Sequence, residues 1–239
     1  MTIRAVLFDL YDTLIHADES GTPPAALAFL ASAGVNAADW ESAWAGTLRA
    51  SMRGEATLRQ RVRTALEQAG ADGSGSDLAD ELAALMHARN APTVYSDVRP
   101  ALAELRQRGY CLALVSNIAS YRVNWLPEFE LDCCFDVLAL SCELGAAKPE
   151  ARIYLHAAER LAVAPEECIF VGDGMSKELS GARAVGMTTV RIDRSVRELD
   201  DPRDEVFDFR VTTLDELLAW LSARNDAAPE GASPPGANI

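Results

Sequence analysis

The run from Ile3 to Phe8 is apolar at every position except Arg4, and it stops at a polar loop that begins with Asp9. A strand with one wet face alternates apolar and polar residues. A continuous apolar run must instead be covered on both faces, as strands of parallel sheets are. Comparable runs recur at Cys111–Val115, Phe135–Leu140, Cys168–Val171 and Thr188–Ile192. Amphipathic helical patterns lie between several of them, at Ala101–Arg108, Ala151–Leu161 and Lys177–Val185. Strand and helix alternating in this way predict an α/β chain with a Rossmann-like, doubly wound parallel sheet.

The stretch from Thr22 to Asn90 breaks the rhythm and carries no convincing strand. Trp40, Trp44, Leu48 and Met52 fall four apart, as do Leu58, Val62 and Leu66, and Leu78, Leu82 and Met86. These are core stripes of amphipathic helices, punctuated by Pro23-Pro24 and by Gly73-Ser74-Gly75-Ser76. The expected organisation is a core of residues 1–17 and 93–224 interrupted by an all-helical insert over 18–92. Val206–Val211 is expected to add an edge strand and Leu214–Leu221 a last helix. From Asn225 to residue 239 the chain is mostly Ala, Pro, Gly, Ser and Asn, a composition that predicts a disordered tail.

A formal net charge of −14 makes nucleic acid and anionic membrane surfaces poor partners, and no apolar run is long enough to cross a bilayer. Cys111, Cys133, Cys134, Cys142 and Cys168 form no C-x-x-C pair and no zinc spacing. An odd number of cysteines in mostly apolar surroundings, without a secretory leader, fits buried free thiols and a cytoplasmic protein. The expected assembly is a monomer or a small homo-oligomer.

In open parallel sheets, ligands bind beyond the carboxyl ends of the strands, and the polar residues of interest lie there. The first strand runs into Phe8-Asp9-Leu10-Tyr11-Asp12-Thr13-Leu14 and the second into Val115-Ser116-Asn117. Lys148-Pro149 opens a helix after the third. The fourth ends Val171-Gly172-Asp173-Gly174, with Glu178 five residues beyond Asp173. In this order the four segments resemble the motifs of the haloacid dehalogenase superfamily, and the resemblance covers about Ile3 to Arg191. The helical insert falls where that family carries a cap between its first and second motifs.

The resemblance implies a hydrolase acting on a small anionic substrate, with Asp9 as a carboxylate nucleophile that forms a covalent intermediate. It implies Mg²⁺ held by Asp9, the backbone carbonyl of Tyr11 and Asp173, with Glu178 in an outer position through water. Lys148 would offset charge at the reacting centre, and Ser116 with the Asn117 N–H would donate to the non-bridging oxygens. Substrate selection is expected in the insert, where Trp44, Arg49, Arg53, Arg59 and Arg61 are the handles, although most of these arginines read as solvated helix-face residues. His16, near the insert hinge, reads as an exposed loop residue, and His87 and His156 as surface positions.

The first motif departs from the phosphatase pattern, which carries an Asp two residues after the nucleophile to protonate the leaving group. Here that position is Tyr11, and Asp12 lies one residue too far, since successive side chains do not point the same way. Tyrosine there resembles the 2-haloacid dehalogenases of the family, whose leaving halide needs no proton. Yet Gly172-Asp173 and Glu178 match the metal-dependent branch. Loss of a general acid costs about 10²–10⁴ in rate, which an acyl or aryl phosphate tolerates. Loss of charge neutralisation is fatal to phosphoryl transfer. The fourth motif therefore outweighs the first, and a phosphatase is expected. A 2-haloacid dehalogenase and a weakly active ligand-binding member are the alternatives.

Overall fold

The computed structural model describes residues 2–16, 22–71, 76–87, 92–123, 125–194 and 206–226. The first strand, β1 (Ala5–Phe8), is followed by a two-residue strand β2 (Ile15–His16). Five helices come next: α1 (Pro24–Ser32), α2 (Ala37–Gly46), α3 (Leu48–Met52), α4 (Leu58–Gln68) and α5 (Ser76–His87). The chain returns through β3 (Thr93–Val94), which pairs antiparallel with β2. It continues through α6 (Val98–Gln107), β4 (Cys111–Ser116), α7 (Trp125–Glu128), β5 (Val137–Leu140) and α8 (Ser141–Leu144). The last elements are α9 (Ala151–Arg160), β6 (Cys168–Gly172), α10 (Glu178–Ala184), β7 (Thr188–Ile192), β8 (Phe209–Val211) and α11 (Leu214–Asp226).

The main sheet has the order β5-β4-β1-β6-β7-β8, and every pairing in it is parallel. The continuous apolar run of β1 has its cause here. Val6 and Phe8 point into one core with Leu102 and Leu105 of α6 and Leu217 of α11, while Ala5 and Leu7 point into another with Ile153 and Ala157 of α9 and Leu179 of α10. Strand order reverses at β1: the chain moves outward to β4 and β5, then returns to β6 on the other side. Phe8 stands in register with Leu114 of β4 and Val171 of β6. The residues that follow these three strands therefore meet at one edge, the crevice in which α/β sheets bind ligands.

The insert helices bury a third core of their own, with Trp40 stacked on Trp44 at 5.5 Å between centroids and Leu66 and Leu82 beside them. Local signals start these helices. Asn36 caps α2 through the N–H groups of Ala38 and Asp39, and Thr57 and Gln60 form a capping box on α4.

Several expectations are corrected. The edge strand is limited to Phe209–Val211, and Val206 is exposed. The last helix does not stop at Leu221, and residues 225 and 226, expected in the tail, are helical. Arg224 lies 5.3 Å over the Trp220 ring one turn earlier, a cation–π contact that supports this extra turn. The remainder of the expected tail, and residues 17–21, 72–75 and 88–91 of the insert and its borders, lie outside the described residues. All five cysteines are free, but only Cys168 is fully buried, with burial pushing its thiol up to about 12, whereas Cys133 is exposed. No helix among the described residues is long and apolar enough to cross a membrane.

Candidate active site

Asp9 follows β1 directly, and its N–H continues the ladder to the Val171 carbonyl at 2.9 Å. Its carboxylate is buried. Thr13 Oγ1 donates to Oδ2 at 3.2 Å, and Lys148 Nζ donates to Oδ1. The same ammonium donates to Glu178 Oε2, while Glu178 Oε1 accepts the Gly174 N–H at 3.1 Å. Asp173, at the end of β6, accepts the Met175 N–H at 3.0 Å. Carboxylate oxygens of Asp9, Asp173 and Glu178 all lie within 4.8 Å of one another, and all three residues are buried.

Each of these groups is braced. Tyr154, fully buried in α9, donates to the Glu178 backbone carbonyl at 2.8 Å. Asn117 binds the Lys148 backbone in both directions: its Oδ1 accepts the Lys148 N–H at 2.7 Å and its Nδ2 donates to the Lys148 carbonyl at 3.1 Å. A Cβ on Gly172 would meet Glu178 Oε1 at 2.1 Å, so only glycine lets that carboxylate lie against β6. Between Asp173 and α10 the chain passes Ser176 and Lys177, both left-handed, at φ of 57° and 54°. Strain of this kind collects where surrounding structure holds a site in place.

Electrostatics follow from crowding three carboxylates around an ammonium. Burial alone lowers the Lys148 pKa, but the charges of Asp9 and Glu178 outweigh it and raise it above the ordinary lysine value. Glu178 is held well above the usual carboxylate range, first by burial and then by the charge of Asp9, despite the opposing pull of Lys148. The cluster thus carries more negative charge than Lys148 neutralises.

The pocket above the cluster encloses about 650 Å³, part of it open to solvent, and Asp9, Tyr11, Asp12, Lys148, Asp173 and Glu178 form its floor. Tyr11 is largely buried, and its hydroxyl has no hydrogen-bond partner among the described residues. Burial pushes its pKa up to about 12; Arg122 opposes the rise, and Asp9 and Tyr121 reinforce it. It stays a neutral phenol near pH 7, a poor proton donor. Asp12, one residue beyond the position of the usual acid, also lines the pocket. Its left-handed φ of 51° turns the chain, and its Oδ1 lies 3.1 Å from Nδ1 of the exposed His16. Ser116 is fully buried at the end of β4, does not line the pocket, and has no partner for its hydroxyl among the described residues.

The insert reaches the pocket through Leu48 and Met52 of α3. Arg61, one of the insert's expected handles, is buried, unlike most of the arginines there. Its Nε donates to Thr47 Oγ1 and its Nη2 to the Trp44 carbonyl, and its guanidinium lies 3.4 Å from the Trp44 ring centroid. Its Nη1 donates at 2.6 Å to the hydroxyl of Tyr121 in the core. Arg53 pairs with Glu150 across the same interface. Arg59 does lie on an exposed face, paired with Asp80, and Arg49 is exposed; His87 is exposed and His156 half-buried. Sequence reading missed Thr13, the Asn117 side chain, Tyr121 and Arg122. None of these four stands out by residue type or spacing in the sequence.

The interface also depends on Gly54, at φ 72°, where a Cβ would meet the Cys142 carbonyl oxygen at 2.1 Å. Gly34 has a similar φ of 74° with open space around it. Both alanine variants are expected to lose stability from left-handed strain, about 1–3 kcal/mol. Gly54→Ala should lose more, and its KM should rise because α3 must withdraw from α8. Equal losses in chemical denaturation with an unchanged KM would show that this contact does not position the insert.

The sheet, its insert and the buried acidic centre define a Rossmann-like hydrolase. The family model of haloacid dehalogenase-like hydrolases matches residues 3–186, and the chain belongs to that family. It is 39% identical over 127 residues to a glyceraldehyde 3-phosphate phosphatase of Methanopyrus kandleri, a match covering 52% of this chain and 54% of that protein. This match therefore spans about half the length of the archaeal relative. It is 36% identical over 183 residues to a phosphoserine phosphatase of Thermus thermophilus, covering 74% of this chain and 68% of the relative. The crystal structure of a 2-haloacid dehalogenase from Pseudomonas syringae superposes with a TM-score of 0.71 at 26% identity, covering 93% of this chain and 99% of that one.

Proposed function

We propose that this chain is a Mg²⁺-dependent phosphohydrolase of small phosphorylated metabolites, with Asp9 as nucleophile. The observation that carries the reading is the buried cluster of Asp9, Asp173 and Glu178, whose charge Lys148 only partly offsets. An all-oxygen donor set of this kind suits a hard divalent cation, and Glu178 is held above its ordinary pKa by burial and then by the charge of Asp9. Asp9, Asp173 and the Tyr11 carbonyl would hold Mg²⁺, with Glu178 behind them. Bound there, Mg²⁺ supplies charge neutralisation for the carboxylates and the phosphoryl group.

Asp9 attacks phosphorus to give an aspartyl phosphate as the bond from phosphorus to the leaving oxygen breaks and that group departs as its anion, taking a proton from solvent afterwards. Water then hydrolyses the acyl phosphate to regenerate the Asp9 carboxylate and inorganic phosphate, its proton passing to solvent. Thr13 and Lys148 fix the carboxylate for attack, and Lys148 also offsets charge on the transferring group. Tyr11 supplies no proton at neutral pH, so leaving groups that depart unprotonated are favoured.

A second reading, 2-haloacid dehalogenation, is supported by Tyr11 itself, because a departing halide needs no acid. Hydrolysis of p-nitrophenyl phosphate with Mg²⁺ or with EDTA separates the two. The expected result is turnover that EDTA abolishes and added Mg²⁺ restores. Absent turnover, together with metal-independent halide release from 2-chloropropionate, would select the dehalogenase. Failure of both assays would leave the ligand-binding alternative.

A further inference from the structure

Phosphoryl transfer at Asp9 leaves one part of the pocket unexplained. Arg122, carried by the loop after β4, sits in the pocket wall with most of its surface buried. Its guanidinium lies 5.8 Å from the centroid of the Tyr121 ring, and the Tyr121 hydroxyl is itself gripped by Arg61 of α4. A flexible cation is thereby fixed from both the core and the insert, as a recognition group must be if it is to orient a ligand. The same pocket is lined by Tyr11, whose buried hydroxyl has no hydrogen-bond partner among the described residues. A buried hydroxyl without a partner costs free energy that a ligand oxygen would recover. The rest of the wall includes the apolar residues Leu48, Met52, Ile118 and Met175.

We propose that Arg122, assisted by the Tyr11 hydroxyl, is the specificity-determining residue that binds a carboxylate on the substrate, so that the site binds short phosphorylated carboxylic acids and turns over fastest those whose leaving oxygen departs unprotonated. The planar guanidinium fork matches the two oxygens of a carboxylate. A second phosphate is disfavoured, because its double charge would face Asp9, Asp12 and Asp173 on the same pocket floor with only this guanidinium added to Lys148. Recognition thus comes from the core loop as well as from the insert. The proposal rests on the phosphohydrolase reading for the phosphoryl half of the ligand only.

Binding to the Asp9→Asn protein in Mg²⁺, measured by calorimetry, tests it without turnover. Phosphoglycolate should bind about 10- to 100-fold more tightly than ethyl phosphate, which lacks the carboxylate. Adding Arg122→Met should collapse that ratio toward one, and Arg122→Lys should retain part of it. A ratio near one with Arg122 intact overturns the proposal even if the methionine variant fails to fold. A ratio that survives Arg122→Met overturns it as well, and assigns the carboxylate to another group. Absent p-nitrophenyl phosphate hydrolysis by the unsubstituted protein, with the binding ratio preserved, would instead overturn hydrolysis alone.

Discussion

Asp9→Asn is expected to lower kcat by about 10⁴-fold or more on any phosphoryl substrate, the scale seen when a nucleophile is removed, without loss of fold stability. The two halves of this expectation have separate causes. An amide oxygen carries no charge with which to displace a leaving group, so the covalent route closes. The folded protein, however, loses a source of repulsion. Asp9 is one of the charges that hold Glu178 above its ordinary pKa, and Lys148 keeps Glu178 as a partner after the substitution. The asparagine also keeps an oxygen for the Lys148 ammonium, and its amide N–H can donate to the Thr13 hydroxyl oxygen, which lies 3.2 Å from the present Oδ2. The melting temperature without metal should therefore hold or rise. Rates within tenfold of the unsubstituted protein would remove Asp9 from the chemistry. A steep fall in melting temperature would make the lost rate uninformative.

What the sequence conveyed and what it withheld follow from how each feature is encoded. The strands were legible because a parallel strand covered on both faces is nearly free of polar positions: β1 and β6 fit that pattern throughout and β4 up to its terminal Ser116, whereas β7, nearer the sheet edge, carries Thr188, Thr189 and Arg191. Asp9, Lys148, Asp173 and Glu178 were legible because four short segments recur in order at strand ends, and topology brings such ends together. The residues missed act through tertiary contacts that leave no local trace. The Asn117 side chain closes two hydrogen bonds on the backbone of Lys148, 31 residues away. Arg122 acquires its place in the pocket wall from Tyr121 and, through it, from Arg61 of the insert. The burial of Arg61 was not legible because arginine is almost never fully buried unless paired, and its partners, Thr47, the Trp44 carbonyl and Tyr121, lie on other elements. The place of Asp12 in the pocket lining was not legible because alternation of side chains holds for extended backbone, and its φ is positive.

Lys148→Met should damage folding and catalysis together, and the folding defect should depend on pH in a defined direction. The substitution leaves Asp9, Asp173 and Glu178 buried without the ammonium that now bonds two of them. Stranding buried charge in this way costs about 3–5 kcal/mol. Glu178 already has a pKa raised above its unfolded value, so the folded state binds a proton that the unfolded state releases between the two values. Stability contributed by such a group is fully present below the unfolded pKa of about 4.5 and is lost as pH rises through the folded value. Because Lys148 pulls that pKa down, removing it raises the folded value further and widens the window of loss. Chemical denaturation should accordingly show the largest deficit at pH 7–8 and a smaller one near pH 5. Mg²⁺ should recover part of the deficit at pH 7, since a ligand that binds only the folded state stabilises it by mass action. A deficit independent of both pH and Mg²⁺ would mean that the lost stability is a matter of packing, and that the charge balance argued for this cluster is wrong.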